Sequence, residues 1–309
     1  MNAKRIRAEE GQAFVVTVLA LVALLGMTAL VLDVGSWFRS QRKLQATADA
    51  AALAGAQALP TSASTATQLA VQYGTTNGGG VAAADVSITS TNSSNDTIQV
   101  DAKKQDPTFF SKVFGISVVN IAAQAKAIVG TPAQAMYVAP MVVYCDHPLI
   151  QNCNGQNTPT FNQSTQLDFS KMGAPGAFGM LDLSNSKGNV GSSTLGSWIL
   201  NGYNQYLPLG WYDSDPGAKF NSGNVSGALQ ARVGTVLLFP VFDQLTGNGS
   251  NAQYHIIGWI GFHLTQVGTI QGNNATLYGY FTSYIAQGIL APGGGGSTDF
   301  GVKTIQLIG

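Results

Sequence analysis

Cys145 and Cys153 are the residues in this sequence whose type and spacing most plainly invite chemistry. Seven residues, DHPLIQN, lie between them. In an oxidising compartment such a pair closes a polar turn as a disulfide, worth roughly 2 to 3 kcal/mol in the loop-entropy description. The rival reading is a zinc site made of Cys145, His147 and Cys153, with Asp146 as the fourth ligand. The disulfide is favoured, because no stronger fourth ligand stands nearby. His255 and His263, in YHIIGWIGFHL, share parity with Trp259 and are expected on one face of a strand. At about 3.3 Å per residue they are about 26 Å apart, too far to hold one metal. Asp213 and Asp215, in WYDSDPG, could pair on calcium, but a turn rich in Asp, Ser, Pro and Gly accounts for them without a ligand.

Several chemistries are excluded by composition. The only glutamates are Glu9 and Glu10, so motifs that need a glutamate base or ligand are absent from the body of the chain. No G-x-S-x-G elbow presents a serine nucleophile. No catalytic, cofactor-binding or metal-ligating residue is therefore assigned, and the expectation is a protein without a cofactor that is not an enzyme. Charged residues make up 10% of the 309, where about 25% is ordinary, and the formal net charge is zero. Without a basic stripe to displace counterions, nucleic acid is not an expected partner. Trp198, Tyr203, Tyr206, Trp211, Tyr212 and Trp259 fit either a sugar- or peptide-binding platform or ordinary packing in a β-rich domain, and composition does not separate the two.

These residues hang on an unusual element. Ala13 to Leu32 are twenty residues without a charge, enough at about 1.5 Å rise per residue to span a hydrocarbon layer of about 30 Å. The run exceeds the 7 to 15 residues of a signal-peptide core, and no A-x-A site follows closely, which favours an uncleaved anchor. A short basic tail, residues 1–12, precedes it. Helix formers continue without proline to residue 59, so residues 33–59 read as an extension of the helix outside the membrane. Along it Val34, Phe38, Leu44, Ala48, Ala51, Ala52 and Gly55 lie near one stripe whose small side chains permit close approach. That stripe could pack on the chain's own domain or mediate self-association with a second helix. Basic residues flank the run on both sides. Orientation rests instead on the cysteine pair and the low charge of the C-terminal part, which place the N-terminus in the cytoplasm and the bulk outside.

The expected fold class is α+β: the long transmembrane helix, a small pilin-like α+β unit over residues 60–130, then a β-rich domain over residues 131–309, either a sandwich or a partly open barrel. In the small unit a polar, small-residue stretch leads to strands around Val86–Ile88 and Ile98–Val100. Asp106-Pro107 then reads as a helix start, with Phe109, Phe110, Val113 and Phe114 as its apolar face and Gly115 as its stop. A strand follows from Val119 to Val129. Later strands are expected near 136–143, 178–183, 234–242, 254–264, 276–285 and 302–308, with one short helix from Thr194 to Tyr203. Pro292 and the glycines to Gly296 read as a tether.

Gly11-Gln12, Gly26, Asp33-Val34-Gly35, Leu44-Gln45, and the run Ala48-Asp49-Ala50-Ala51-Ala52-Leu53-Ala54-Gly55-Ala56 together resemble the N-terminal module of TadE/TadG-like proteins of Flp (tight adherence) pilus assembly. More loosely, GAFGMLDL from Gly176, Asp215-Pro216-Gly217, Arg232-Val233-Gly234 and Phe239-Pro240-Val241-Phe242 resemble the C-terminal region of such proteins. The resemblance implies a single-pass protein of a bacterial cell membrane, a non-enzymatic component of pilus assembly or secretion. Its implied partners are the lipid bilayer and other Tad/Flp proteins or pilin-like helices. Pilins cut by prepilin peptidase carry Glu five residues after the cleavage-site glycine, and Val16 stands there after Gly11, which favours a retained, TadG-like protein. The alternative role is a surface adhesin whose β-rich domain binds a host, matrix or carbohydrate ligand.

Overall fold

The computed structural model describes residues 3–169, 179–185, 190–215, 219–271, 274–291 and 296–309. The chain divides into two compact units, one of Met1–Ser90, Thr97–Ala127 and Leu307–Gly309, the other of Thr91–Asp96 and Ile128–Gln306.

The first unit is built on α1 (Ala3–Ala56), a single helix of 54 residues. Nothing between Ala13 and Ala56 breaks it, since Ala and Leu dominate and no proline occurs. Beyond it lies α2 (Ala63–Thr76), where the composition reads only as a polar stretch. Its start is set by Ser62, whose hydroxyl accepts from the Thr65 amide at 3.2 Å. Its buried residues Ala66, Ala70 and Gly74 recur every four positions. That small-residue spacing is a packing face, and it is the signal that identifies the helix. β1 (Val86–Thr89) and β2 (Thr97–Pro107) form an antiparallel pair in the register Val86 with Val100 and Ile88 with Ile98. β3 (Val118–Gly130) is the next strand of the sheet. Ile98, Val100 and Ala102 bury the inner face of β2, and Ile121 and Ala125 that of β3.

One expectation in this unit is overturned. Asp106 and Pro107 are the last residues of β2, not the start of a helix. After them the chain makes one 3-10 turn, Ser111–Phe114, stopped as expected by Gly115 in the left-handed region at φ 82°. Its apolar residues Val113 and Phe114 are exposed, and no element among the described residues of the unit covers them.

The second unit contains β4 (Pro132–Ala135), β5 (Val143–Tyr144), β6 (Ser164–Asp168), α3 (Ser192–Asn201), β7 (Leu207–Pro208), β8 (Gly210–Asp213), α4 (Gly223–Ala231), β9 (Val236–Thr246), β10 (Gln253–Gln271), β11 (Asn274–Thr282), β12 (Tyr284–Ile285), β13 (Gly288–Leu290) and, as far as Gln306, β14 (Val302–Ile308). Its main sheet runs β5-β9-β10-β11-β6, with β8 also paired to β10, and a smaller sheet runs β13-β4-β7. The architecture is mixed α+β and β-rich. The expected short helix is α3, while α4 is not legible in the sequence because Gly223 and Gly227 weaken its pattern. The segments 136–143 and 179–183 are tied in mostly by isolated bridges, Val138 to Tyr203 and Leu238, Met141 to Met180 and Leu181 to Ser214. Gly176 to Phe178, Pro216, Gly217 and the run from Pro292 to Gly295 lie outside the described residues.

Both faces of β9 and β10 are covered. Phe239, Ile260, Phe262 and Leu264 share one core with Leu195 and Ile199 of α3 and Val225 and Leu229 of α4. Leu238, Phe242, Tyr254, Ile256 and Trp259 belong to the other. The alternation along β10 is interrupted by register shifts between His255 and Gly258. Tyr254, Ile256 and Trp259 face one core, whereas Ile257 joins Ile260 and Phe262 in the other. An extra residue in a strand inverts the parity of everything after it. His255 and His263 therefore lie on opposite faces, not on one.

Candidate functional site

The site is α1 and the loop attached to it. The apolar run is not covered by the protein: Phe14 is 70% exposed and Val31 still 69%. From Gln12 onward the helix is long and apolar enough to serve as a single-pass membrane anchor. The two hydroxyls of the run from Ala13 to Leu32 are satisfied internally, Thr17 donating to the Ala13 carbonyl at 2.9 Å and Thr28 to that of Leu24 at 2.8 Å. In hydrocarbon, where no water completes a hydrogen bond, that back-bonding removes the cost of a hydroxyl. Gln12 is exposed, and the side-chain environment of Gly11 lies outside the described residues. A Cβ placed on Gly26 or on Gly35 would meet nothing within 4 Å.

At the end of the run the environment changes within one residue. Asp33 is fully buried. Its carboxylate accepts from the amides of Phe109 at 3.0 Å, Phe110 at 3.1 Å and Ser111 at 2.6 Å, and from the Ser111 hydroxyl at 2.6 Å. These are the free N–H groups that open the 3-10 turn, so a side chain 78 residues upstream caps it. Burial pushes the Asp33 carboxyl up, but the hydrogen bonds from Ser111, Phe109 and Phe110 outweigh it and hold the pKa at about 2. Asp33 is legible in the sequence as a motif residue; its partners are not, because Asp106-Pro107 imitates the cap it supplies. Next to it Val34, Trp37 and Phe38 line a shallow cleft with Val119 and Ile121 of β3.

The second half of the helix is covered by its own unit. Leu44 is buried, and Ala48, Ala51 and Ala52 are inaccessible. A Cβ on Gly55 would lie 2.8 Å from the Ala66 carbonyl oxygen and 3.2 Å from the Ala70 Cβ, and would collide with Ile98. Only glycine lets α2 and β2 approach this closely. Gln45 spans two elements, its amide donating to Asp49 at 2.9 Å and to the Gln124 carbonyl of β3 at 2.8 Å. Leu53 is half-buried. The lower part of the stripe thus packs on α2 and β2, while Phe38 at its upper end stays exposed.

The other candidates resolve separately. Cys145 and Cys153 form a disulfide, with Cα atoms 4.9 Å apart. His147 is turned elsewhere: its Nδ1 accepts from the Leu149 amide at 3.2 Å, its ring meets Phe281 edge-on, and burial pushes its pKa down. Asp215 binds Lys219 at 2.5 Å and accepts from the Val190 amide at 3.2 Å, burial raising its pKa and Lys219 opposing the rise. Asp213 instead accepts from Gln253 at 2.8 Å, so the two carboxylates serve different partners. His255 pairs with Asp243 at 2.7 Å beside Trp211, and His263 stacks on Tyr280. Of the six aromatics, Tyr212 and Trp259 are buried and Trp198 packs edge-on against Tyr203, leaving Tyr206 and Trp211 exposed.

Comparison with curated proteins and with solved structures finds no match for this chain. Comparison with protein families does: residues 11–58, the apolar run together with the packed half of α1, match the Tad family model, described as Flp pilus-assembly TadE/G-like.

Proposed function

We propose that the chain is a membrane-anchored, non-enzymatic component of Flp pilus assembly, TadG-like in being retained in the membrane, with its N-terminus in the cytoplasm and its folded units outside. The observation that carries this reading is the coincidence of the family match over residues 11–58 with an uncharged run that the protein itself leaves bare. The disulfide fits an extracytoplasmic, oxidising compartment. Because α2 and β2 occupy the small-residue face of α1, contacts with other pilus components or with a second copy fall to the uncovered run and to exposed surfaces of the folded units. Two measurements test the reading. Protease added to spheroplasts should digest the chain beyond Asp33 while an N-terminal tag stays protected, and full protection of the folded units overturns the topology. Deletion of the gene should abolish Flp pili, and complementation without residues 13–32 should not restore them; normal piliation in the deletion strain overturns the assembly role.

A further inference from the structure

The 3-10 loop held by Asp33 presents an exposed apolar surface outside the helix run. Phe109, Phe110, Val113, Phe114, Ile116 and Val118 are 66, 45, 85, 80, 48 and 48% exposed, within ten consecutive residues. A patch of this kind on a water-soluble surface marks something that covers it. Its position indicates what. Asp33 is the first residue after the uncharged run, and its carboxylate fixes the amides of Phe109, Phe110 and Ser111 beside it. At about 1.5 Å per residue, the root of the loop lies within about one helical turn of the point where α1 leaves hydrocarbon. The order along α1 is that of a membrane boundary: apolar to Leu32, aromatic at Trp37 and Phe38, basic at Arg39, Arg42 and Lys43. Lys112, exposed in the middle of the loop, has a stem long enough to lift its ammonium to the headgroups while its neighbours remain in the acyl region.

We infer that the loop from Phe109 to Val118 inserts into the interface of the same leaflet from which α1 emerges, as a second, shallow membrane contact whose occupant is lipid. The inference rests on the membrane-anchored reading of α1. Together the helix and the loop fix the unit at two points, and Asp33 transmits the depth of one to the other. A single helix leaves the unit free to rotate about its axis, and a side contact removes that freedom.

The test uses the full chain reconstituted in vesicles of phosphatidylethanolamine and phosphatidylglycerol, with single cysteines introduced as Leu24→Cys, Val113→Cys, Phe114→Cys or Gln68→Cys. Each is spin-labelled without reductant, so that the native disulfide stays closed. Oxygen, which partitions into lipid, should relax the labels at 24, 113 and 114 more than a water-soluble nickel complex does, with the deepest value at 24. The order should reverse at 68, on the exposed side of α2. A lipid-buried label at 24 with water-exposed labels at 113 and 114 overturns the loop inference and leaves the anchor standing. A water-exposed label at 24 overturns both. Labels at 113 and 114 immobilised and shielded from both relaxants, with a crosslink to protein at those positions, show that protein and not lipid covers the loop, which also overturns it.

Discussion

The two halves of α1 are built from apolar residues of different size, and the structure treats them in opposite ways. Between Phe14 and Leu32 the large side chains are bare, whereas from Leu44 to Ala56 the small ones are covered. In water the opposite assignment is expected, because a large apolar side chain gains more from burial than alanine does. On the membrane-anchored reading proposed above, two solvents govern one helix. On that reading lipid would satisfy the large side chains from outside, and the protein would have no need to cover them. In the covered half, close contact requires small residues, since only they bring α2 and β2 near the helix backbone.

Gly55 is where this contrast breaks most easily. Gly55→Leu puts a branched side chain where Ile98, the Ala66 carbonyl and Ala70 already sit. It should cost about 3 kcal/mol or prevent folding of the first unit, read by denaturant titration of the detergent-solubilised chain. A wild-type midpoint contradicts the packed arrangement.

Removing the disulfide sets a scale from the other unit. Cys145→Ser with Cys153→Ser should cost about 2.5 kcal/mol in a loop of this length, confined to the second unit when the units are followed by site-specific hydrogen exchange. Equal loss in both units shows that the contrast within α1 is not local.

At the boundary between the halves, Asp33→Ala leaves the amides of Phe109, Phe110 and Ser111 without their acceptor. Those amides should lose exchange protection while Asp33→Asn keeps part of it. The folded pKa, about 2, lies below the ordinary 3.8, so the contribution of this carboxyl is full above pH 3.8 and disappears as pH falls towards 2. Protection that persists unchanged below pH 2 contradicts the clamp.

The smallest effect is expected at Gly26. The Cβ that Gly26→Leu adds meets no atom within 4 Å, and the variant should change stability by less than about 0.5 kcal/mol. If this variant folds normally yet loses co-purifying pilus components, the bare half of α1 is a protein contact as well as a lipid one.

The sequence alone determined the long helix, because an uninterrupted set of helix formers and the length of an uncharged run are local properties. It favoured the disulfide over a zinc site for a similar reason, since a short polar turn between two cysteines needs little help from elsewhere, and the structure decided it. The strands β2, β3, β9, β10 and β11 were legible from their alternation, and Gly115 from the left-handed stop it provides. Four features were decided only by the tertiary structure. α2 lacks large apolar residues, and its Ala66, Ala70 and Gly74 become a face only against α1. The bulge in β10 inverts the face of His263, and nothing in the residue types between His255 and Gly258 announces an extra residue. Asp33 finds its donors 76 to 78 positions away. The aromatic residues from Phe109 to Phe114 read as the buried face of a helix, and the structure leaves them exposed beside the end of the membrane-length run. Periodicity and capping report what a segment can do with its neighbours in the chain. Which of two apolar surfaces is covered by protein depends on what the fold brings against it, and that is a property of the assembled structure.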